Sequence, residues 1–88
     1  MRAAIYHGPL NITTEDIEQP EAAPDGILIR VRACGICGSD LHMYKLGLFE
    51  DSLCRKTDGG RIPGHEFSGD VAAVGENVKG LVVGDRVV

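Results

Sequence analysis

Residues 27–42 read ILIRVRACGICGSDLH, and within them the clearest strand of the chain runs into a short helix. In the first part of this stretch, apolar side chains alternate with Arg30 and Arg32. An alternation with a period of two is typical of a half-buried strand, which we predict over residues 27–33. The reactive side chains that follow are therefore placed at a corner of a rigid scaffold, where functional groups are often carried.

A helix is predicted directly after this corner. Ser39 or Asp40 is the expected N-cap, because a short polar side chain at that position satisfies backbone N–H groups that have no partner within the helix. The helix is expected to run through Leu46 and to end at Gly47, since glycine accepts the left-handed conformation that commonly closes a helix.

The rest of the chain predicts short strands separated by turns. Its 12 glycines and 4 prolines occur at short intervals, which favours strands and turns over long helices. Further strands are expected at residues 2–6, 10–14, 67–73 and 86–88. Residues 49–61 show no usable period and are interpreted as a surface loop. The prediction is one mainly β domain over residues 1–88, with one or two short helices.

Composition excludes several classes of partner. Thirteen acidic residues against nine basic ones give a net charge of −4, and the basic residues are dispersed, so a nucleic-acid partner is not expected. Apolar runs are only a few residues long, so no membrane-spanning segment is expected, and the break at residues 7–9 leads us to expect no signal peptide in this stretch. The chain is interpreted as cytoplasmic. Its three cysteines are too few for a disulfide scaffold and are expected to be reduced.

The C-x-x-C of Cys34 and Cys37 has two interpretations in which both cysteines act. A thiol–disulfide oxidoreductase would place this motif at a helix N-terminus, but it belongs to a βαβ context that the remaining sequence does not provide. A zinc knuckle would use Cys34, Cys37 and His42, but the place of a fourth ligand is taken by Gly47.

A third interpretation uses Cys37 alone, with His65 and Glu66 as distant partners. A catalytic zinc needs three protein ligands and one open position, and the fold can bring together ligands that lie far apart in sequence. Spacing alone does not establish this site. The plain alternative is that Cys37 is a small buried apolar residue and that His65 is a loop histidine with its hydrogen bonds satisfied.

Two motifs in order resemble the zinc-dependent medium-chain alcohol and polyol dehydrogenases. They are ACGICGSDLH at residues 33–42 and PGHEFSGDVAAVGENVKGLVVGDRVV at residues 63–88, and the resemblance is weakest over residues 49–61. It implies a small β-barrel similar to the GroES co-chaperonin fold, forming a truncated N-terminal catalytic domain over residues 1–88. The family's nucleotide-binding Rossmann domain is absent, so this chain alone is expected to be inactive.

The same resemblance implies a role for each reactive side chain. Cys37 and His65 correspond to ligands of a catalytic Zn²⁺, with Glu66 either as a further ligand or as a carboxylate just behind the metal. Asp40 corresponds to a carboxylate behind the metal that accepts the other imidazole N–H of His65. An Asp40 that only caps the helix remains open as an alternative.

Ser39 and His42 correspond to the family's proton relay, in which Ser39 accepts the substrate's hydroxyl proton and passes it towards His42 and solvent. A plain N-cap serine and a solvated histidine are the alternatives. The family transfers hydride from a small-molecule alcohol, polyol or hydroxy amino acid to NAD(P), and its members are homodimers or homotetramers. Cys34 and Cys54 take no part. A non-enzymatic GroES-like β-barrel and a thiol oxidoreductase using Cys34 and Cys37 remain as alternative functions.

Overall fold

The computed structural model describes residues 1–88, and their backbone forms two units. One unit comprises residues 1–18 and 35–66, and the other comprises residues 19–34 and 67–88. Along the chain the elements are β1 (Arg2–Gly8), β2 (Asn11–Asp16), β3 (Ile27–Cys34), α1 (Gly38–Leu46), α2 (Glu50–Leu53), β4 (Arg55–Thr57), β5 (Gly60–Ile62), β6 (Phe67–Val74) and β7 (Arg86–Val87).

The first unit is a four-stranded antiparallel sheet with both helices. Its strand order is β2-β1-β5-β4, so the short hairpin of β4 and β5 extends the long hairpin of β1 and β2. Ile5, Tyr6 and Met43 are buried here. The Tyr6 hydroxyl donates to the carbonyl of Met43 at 3.2 Å, and the N–H of Leu10 donates to the carbonyl of Tyr44 at 2.7 Å. These bonds fix α1 against the β1–β2 hairpin.

The second unit is a three-stranded antiparallel sheet in the order β3-β6-β7. Val71, at the middle of the central strand, is its buried apolar residue. The pairing of β3 with β6 shifts register between Leu28 and Ile29 and again between Val31 and Ala33. Each shift is a β-bulge, which bends the strand and redirects the side chains beside it.

The sequence predicted the class of fold and most of its strands. The mainly β architecture with two short helices is confirmed, and so are the five predicted strands, with bounds displaced by no more than two residues. The interpretation of residues 49–61 as a surface loop is wrong, because α2, β4 and β5 lie there. Strands of three residues are too short to show a period, and cross-strand pairing, not local sequence, stabilises them.

Two local predictions are also wrong. The predicted alternation of burial in β3 is absent, since residues 27–29 are all half-buried, residues 30–34 are all exposed, and the bulge at Val31–Ala33 interrupts the period. The N-cap of α1 is Cys37, not Ser39 or Asp40. Neither helix has the length and apolar character that crossing a membrane requires.

Candidate metal centre

The N-terminus of α1 is closed by an unusual cap. Cys37, the N-cap residue, has an extended backbone with φ −88° and ψ 159°. Its own N–H donates to Oδ2 of Asp40 at 2.9 Å. Asp40 is the third helical residue, so its carboxylate reaches back across the first turn as the acid of a capping box does. This bond from the carboxylate side of the turn allows a cysteine to occupy a position that usually holds a serine, threonine or aspartate.

The segment from Pro63 to Glu66 links β5 to β6 and approaches this cap from the other side. Gly64 has φ +105°, which interrupts the extended backbone just before His65 and Glu66. Neighbouring side chains of a regular strand point to opposite faces, and the turn at Gly64 removes that constraint. The carbonyl of Glu66 is held by the N–H of Gly35 at 2.7 Å.

Cys37, His65 and Glu66 meet at this point. One ligand atom from each residue, the thiol sulfur, a ring nitrogen and a carboxylate oxygen, lies within 4.8 Å of the other two. Cys37 is half-buried, whereas His65 and Glu66 are exposed. The structure thus brings together the three residues that the sequence predicted as ligands, although 28 positions separate Cys37 from His65.

Asp40 lies behind His65. Its Oδ1 is 3.3 Å from Nδ1 of the imidazole, and the Asp40 side chain is 14% exposed. Oδ1 is buried and accepts no hydrogen bond, so it faces the imidazole at close range without being hydrogen-bonded to it. The other oxygen, Oδ2, binds the N–H of Cys37. One carboxylate therefore both caps the helix and faces the histidine.

Hydrogen bonds at the helix N-terminus lower the pKa of the Cys37 thiol. The largest contribution is the Ser39 side chain, followed by the Ser39 backbone N–H and then by His65. In return, the hydrogen bond to Cys37 raises the pKa of His65, and the charge of Asp40 raises it further. The arrangement favours a thiolate, which is the form of cysteine that binds metal.

The alkylation rate of metal-free Cys37 is expected to rise with pH at a midpoint below that of an ordinary cysteine thiol, because its pKa is lowered. A lowered pKa means that the reactive thiolate is already populated at lower pH. Ser39→Ala should move this midpoint upwards, because it removes the largest cause of the shift. Iodoacetamide modification of the Cys37 peptide, followed by mass spectrometry across a pH series, measures it. Ser52→Ala, at an exposed serine of α2, is the matched control. If the midpoint does not move in Ser39→Ala, the Ser39 side chain is not the main cause of the lowered pKa of Cys37.

The other reactive residues considered in the sequence analysis are not members of this cluster. Ser39 is half-buried at the first turn of α1, and His42 lies three residues further on an exposed position. Cys34 and Cys54 are not members of the cluster, and no cysteine forms a disulfide. Cys54 contacts Met43, with 3.2 Å between the two sulfurs.

Gly35 is a residue of this site that the sequence did not predict. Besides binding the Glu66 carbonyl, it leaves room for the Glu66 side chain, because a Cβ at this position would lie 3.3 Å from Glu66 Oε2. The sequence did contain one indication, namely a glycine immediately before the reactive segment at a position where no turn was predicted.

Residues 23–88 match the family of the alcohol dehydrogenase GroES-like domain. The chain belongs to this family. Its relatives are alcohol and polyol dehydrogenases, as the resemblance indicated. This GroES-like domain is 46% identical over 94 residues to (R,R)-butanediol dehydrogenase of Bacillus subtilis, covering 100% of the chain and 27% of that protein. It is 44% identical over 87 residues to sorbitol dehydrogenase of the same organism, covering 99% of the chain and 24% of that enzyme.

Solved structures support the same family. The crystal structure of 2R,3R-butanediol dehydrogenase from Bacillus subtilis superimposes with a TM-score of 0.79 at 42% identity, covering 97% of this chain and 26% of that one. This GroES-like domain therefore spans about a quarter of the length of the dehydrogenases that it matches.

Proposed function

We propose that these residues form part of an N-terminal GroES-like catalytic domain in a zinc- and NAD(P)-dependent dehydrogenase. The enzyme would oxidise a small alcohol, polyol or hydroxy amino acid to the corresponding carbonyl compound. The observation that carries this proposal is the meeting of Cys37, His65 and Glu66 at the N-terminus of α1. Butanediol and sorbitol dehydrogenases among the relatives support a small hydroxylated substrate.

The donor set fits zinc. Thiolate, imidazole and carboxylate are the three ligand types that Zn²⁺ takes in proteins, and three protein ligands leave one position for substrate. Because Nδ1 of His65 faces Asp40, Nε2 is the nitrogen that would bind the metal. When bound, Zn²⁺ supplies Lewis acidity, which lowers the pKa of a hydroxyl that it coordinates.

Asp40 orients the histidine in this proposal. A carboxylate facing Nδ1 favours the tautomer that carries its proton there, which leaves Nε2 with a lone pair directed away from Asp40. The bond from Oδ2 to the Cys37 N–H ties the same carboxylate to the helix cap. The positions of the thiolate and the imidazole are thereby coupled through one side chain.

Ser39 and His42 move the proton. The Ser39 hydroxyl lies beside Cys37 and can accept the proton of a substrate hydroxyl while it donates its own. His42 follows three residues later on α1, a spacing that places two helical side chains on the same face. Its exposed position gives the proton a route to solvent.

Hydride acceptance belongs to NAD(P), because oxidation of a hydroxyl to a carbonyl needs a two-electron acceptor that these side chains do not provide. No G-x-G-x-x-G is present in the 88 residues. We therefore assign the nicotinamide site to other parts of the enzyme, which we place in the cytoplasm as a homodimer or homotetramer.

Zinc content tests this proposal. The purified 88-residue chain, equilibrated with a small excess of buffered Zn²⁺, is expected to bind about one zinc per chain, measured by elemental analysis of the bound and free fractions. Thiol titration of the same sample distinguishes the alternatives. A chain without zinc whose Cys34 and Cys37 form a reducible disulfide would be a thiol oxidoreductase. A chain with neither property would be a non-enzymatic β-barrel module, and either result contradicts the proposal.

A further inference from the structure

A basic cleft lies on the three-stranded sheet of the second unit. Its cavity volume is about 470 Å³, and its charged lining consists of three arginines and one aspartate, Arg30, Arg32, Arg86 and Asp70. The apolar part of its lining includes Val71 and Val83. None of these residues belongs to the metal cluster.

The sheet register explains why these charges gather. Asp70, on the central strand β6, lies opposite Arg30 of β3 on one side and opposite Arg86 of β7 on the other. Directly opposed residues share one face of a sheet, so the three side chains form a row across it. Arg32 is the extra residue of the bulge between Val31 and Ala33, and its Nε reaches Asp70 Oδ2 at 2.6 Å.

The charged residues of the cleft are positive in sum, because there are three arginines and only one aspartate. Only Arg32 is paired with Asp70, while the guanidinium groups of Arg30 and Arg86 have no hydrogen-bond or ion-pair partner. The acid next along the chain, Asp85, uses its Oδ2 to accept the N–H of Val82 at 3.0 Å. An excess of two positive charges thus stands in a chain whose net charge is −4, so it does not follow from a basic composition.

We propose that this cleft binds the phosphate group of a small molecule. Guanidinium groups present paired N–H donors that match the oxygens of a phosphate, and two such groups without partners flank the cleft. A volume near 470 Å³ lies within the range of small-molecule sites, and the exposed side chain of Val83 offers an apolar surface to the rest of the ligand. A polynucleotide needs an extended basic stripe, which a single row of arginines does not supply.

Phosphate titration of the isotopically labelled chain, followed by amide NMR, tests the site. Inorganic phosphate and glycerol phosphate should each produce saturable shifts concentrated at residues 70–72 and 83–86. Arg30→Gln and Arg86→Gln should each weaken the affinity about tenfold, because each removes a charge-assisted contact. Arg55→Gln, at an exposed arginine of β4, is the matched control and should leave the affinity unchanged. Tighter binding of glycerol phosphate identifies an ester as the ligand, and equal binding identifies free phosphate.

Asp70→Asn separates a binding cleft from a structural ion pair. Removing the carboxylate releases Arg32 to the ligand, so phosphate should bind several-fold more tightly. Amide spectra and urea unfolding verify that each variant is folded. Non-saturating shifts spread over the surface, equal losses in Arg55→Gln, or weaker binding in folded Asp70→Asn would each overturn the proposal.

Discussion

Cys37→Ser is expected to abolish stoichiometric zinc binding, and Cys34→Ser is expected to leave the zinc content intact. Zinc binds the thiolate, and a serine hydroxyl is not ionised near neutral pH. Cys37 is the cysteine whose sulfur lies within 4.8 Å of the ligand atoms of His65 and Glu66. The hydrogen bonds from Ser39 that lower its pKa favour the metal-binding form further.

Two measurements on each variant provide the readout. Elemental analysis gives zinc per chain, and substitution of Co²⁺ gives a thiolate-to-metal charge-transfer band that depends on a coordinated sulfur. Both signals should disappear in Cys37→Ser and persist in Cys34→Ser. Cys54→Ser is a second control, since Cys54 contacts Met43 and lies outside the cluster. Amide NMR spectra establish that the loss is not due to unfolding.

Equal loss of metal in Cys34→Ser and Cys37→Ser would contradict the use of a single cysteine and would favour a site built on the C-x-x-C pair. Retention of zinc in a folded Cys37→Ser chain would place the metal elsewhere. Only the selective loss agrees with the proposed centre.

The two longest strands could be predicted because each is long enough for its pattern of apolar residues to be recognised in the sequence. Ile27–Cys34 and Phe67–Val74 each contain enough apolar residues to show a period or a bounded run. The hairpin of β4 and β5 could not be predicted in this way, since it depends on β5 pairing with β1 far away in sequence. The bulge that directs Arg32 towards Asp70 is likewise invisible in a pattern that assumes strict alternation.

The chemistry of the candidate centre could be predicted more readily than its geometry. The sequence shows that a thiol, an imidazole and two carboxylates are present, and the family resemblance implies that they belong to one metal site. Their meeting depends on the backbone turn at Gly64, with φ +105°, and on the bond from Gly35 to the Glu66 carbonyl. The cap prediction failed for a related reason, because Asp40 supports the helix from its third position and so frees the N-cap for Cys37.

Gly75→Ala is expected to destabilise the second unit by about 3–5 kcal/mol, as overpacking against the backbone adds to lost hydrogen bonds. A Cβ at this position would lie 2.0 Å from the carbonyl oxygen of Ala23 and 2.3 Å from that of Pro24. Neither backbone atom can move aside as a flexible side chain does. The displacement would also break the bond from the N–H of Gly75 to the carbonyl of Gly26, now 2.8 Å long.

Urea unfolding of the metal-free chain measures this effect, with Gly59→Ala as the matched control. A Cβ at Gly59 would meet no atom within 4 Å, and its backbone does not need a positive φ. Its substitution should therefore change the free energy of unfolding by no more than about 0.5 kcal/mol. Small domains have only about 5–15 kcal/mol of stability, so the loss in Gly75→Ala should greatly increase the fraction of unfolded chains. Equal stabilities of the two variants would show that the loop at residues 23–26 yields to the added methyl group, so that close approach is not what requires glycine at position 75.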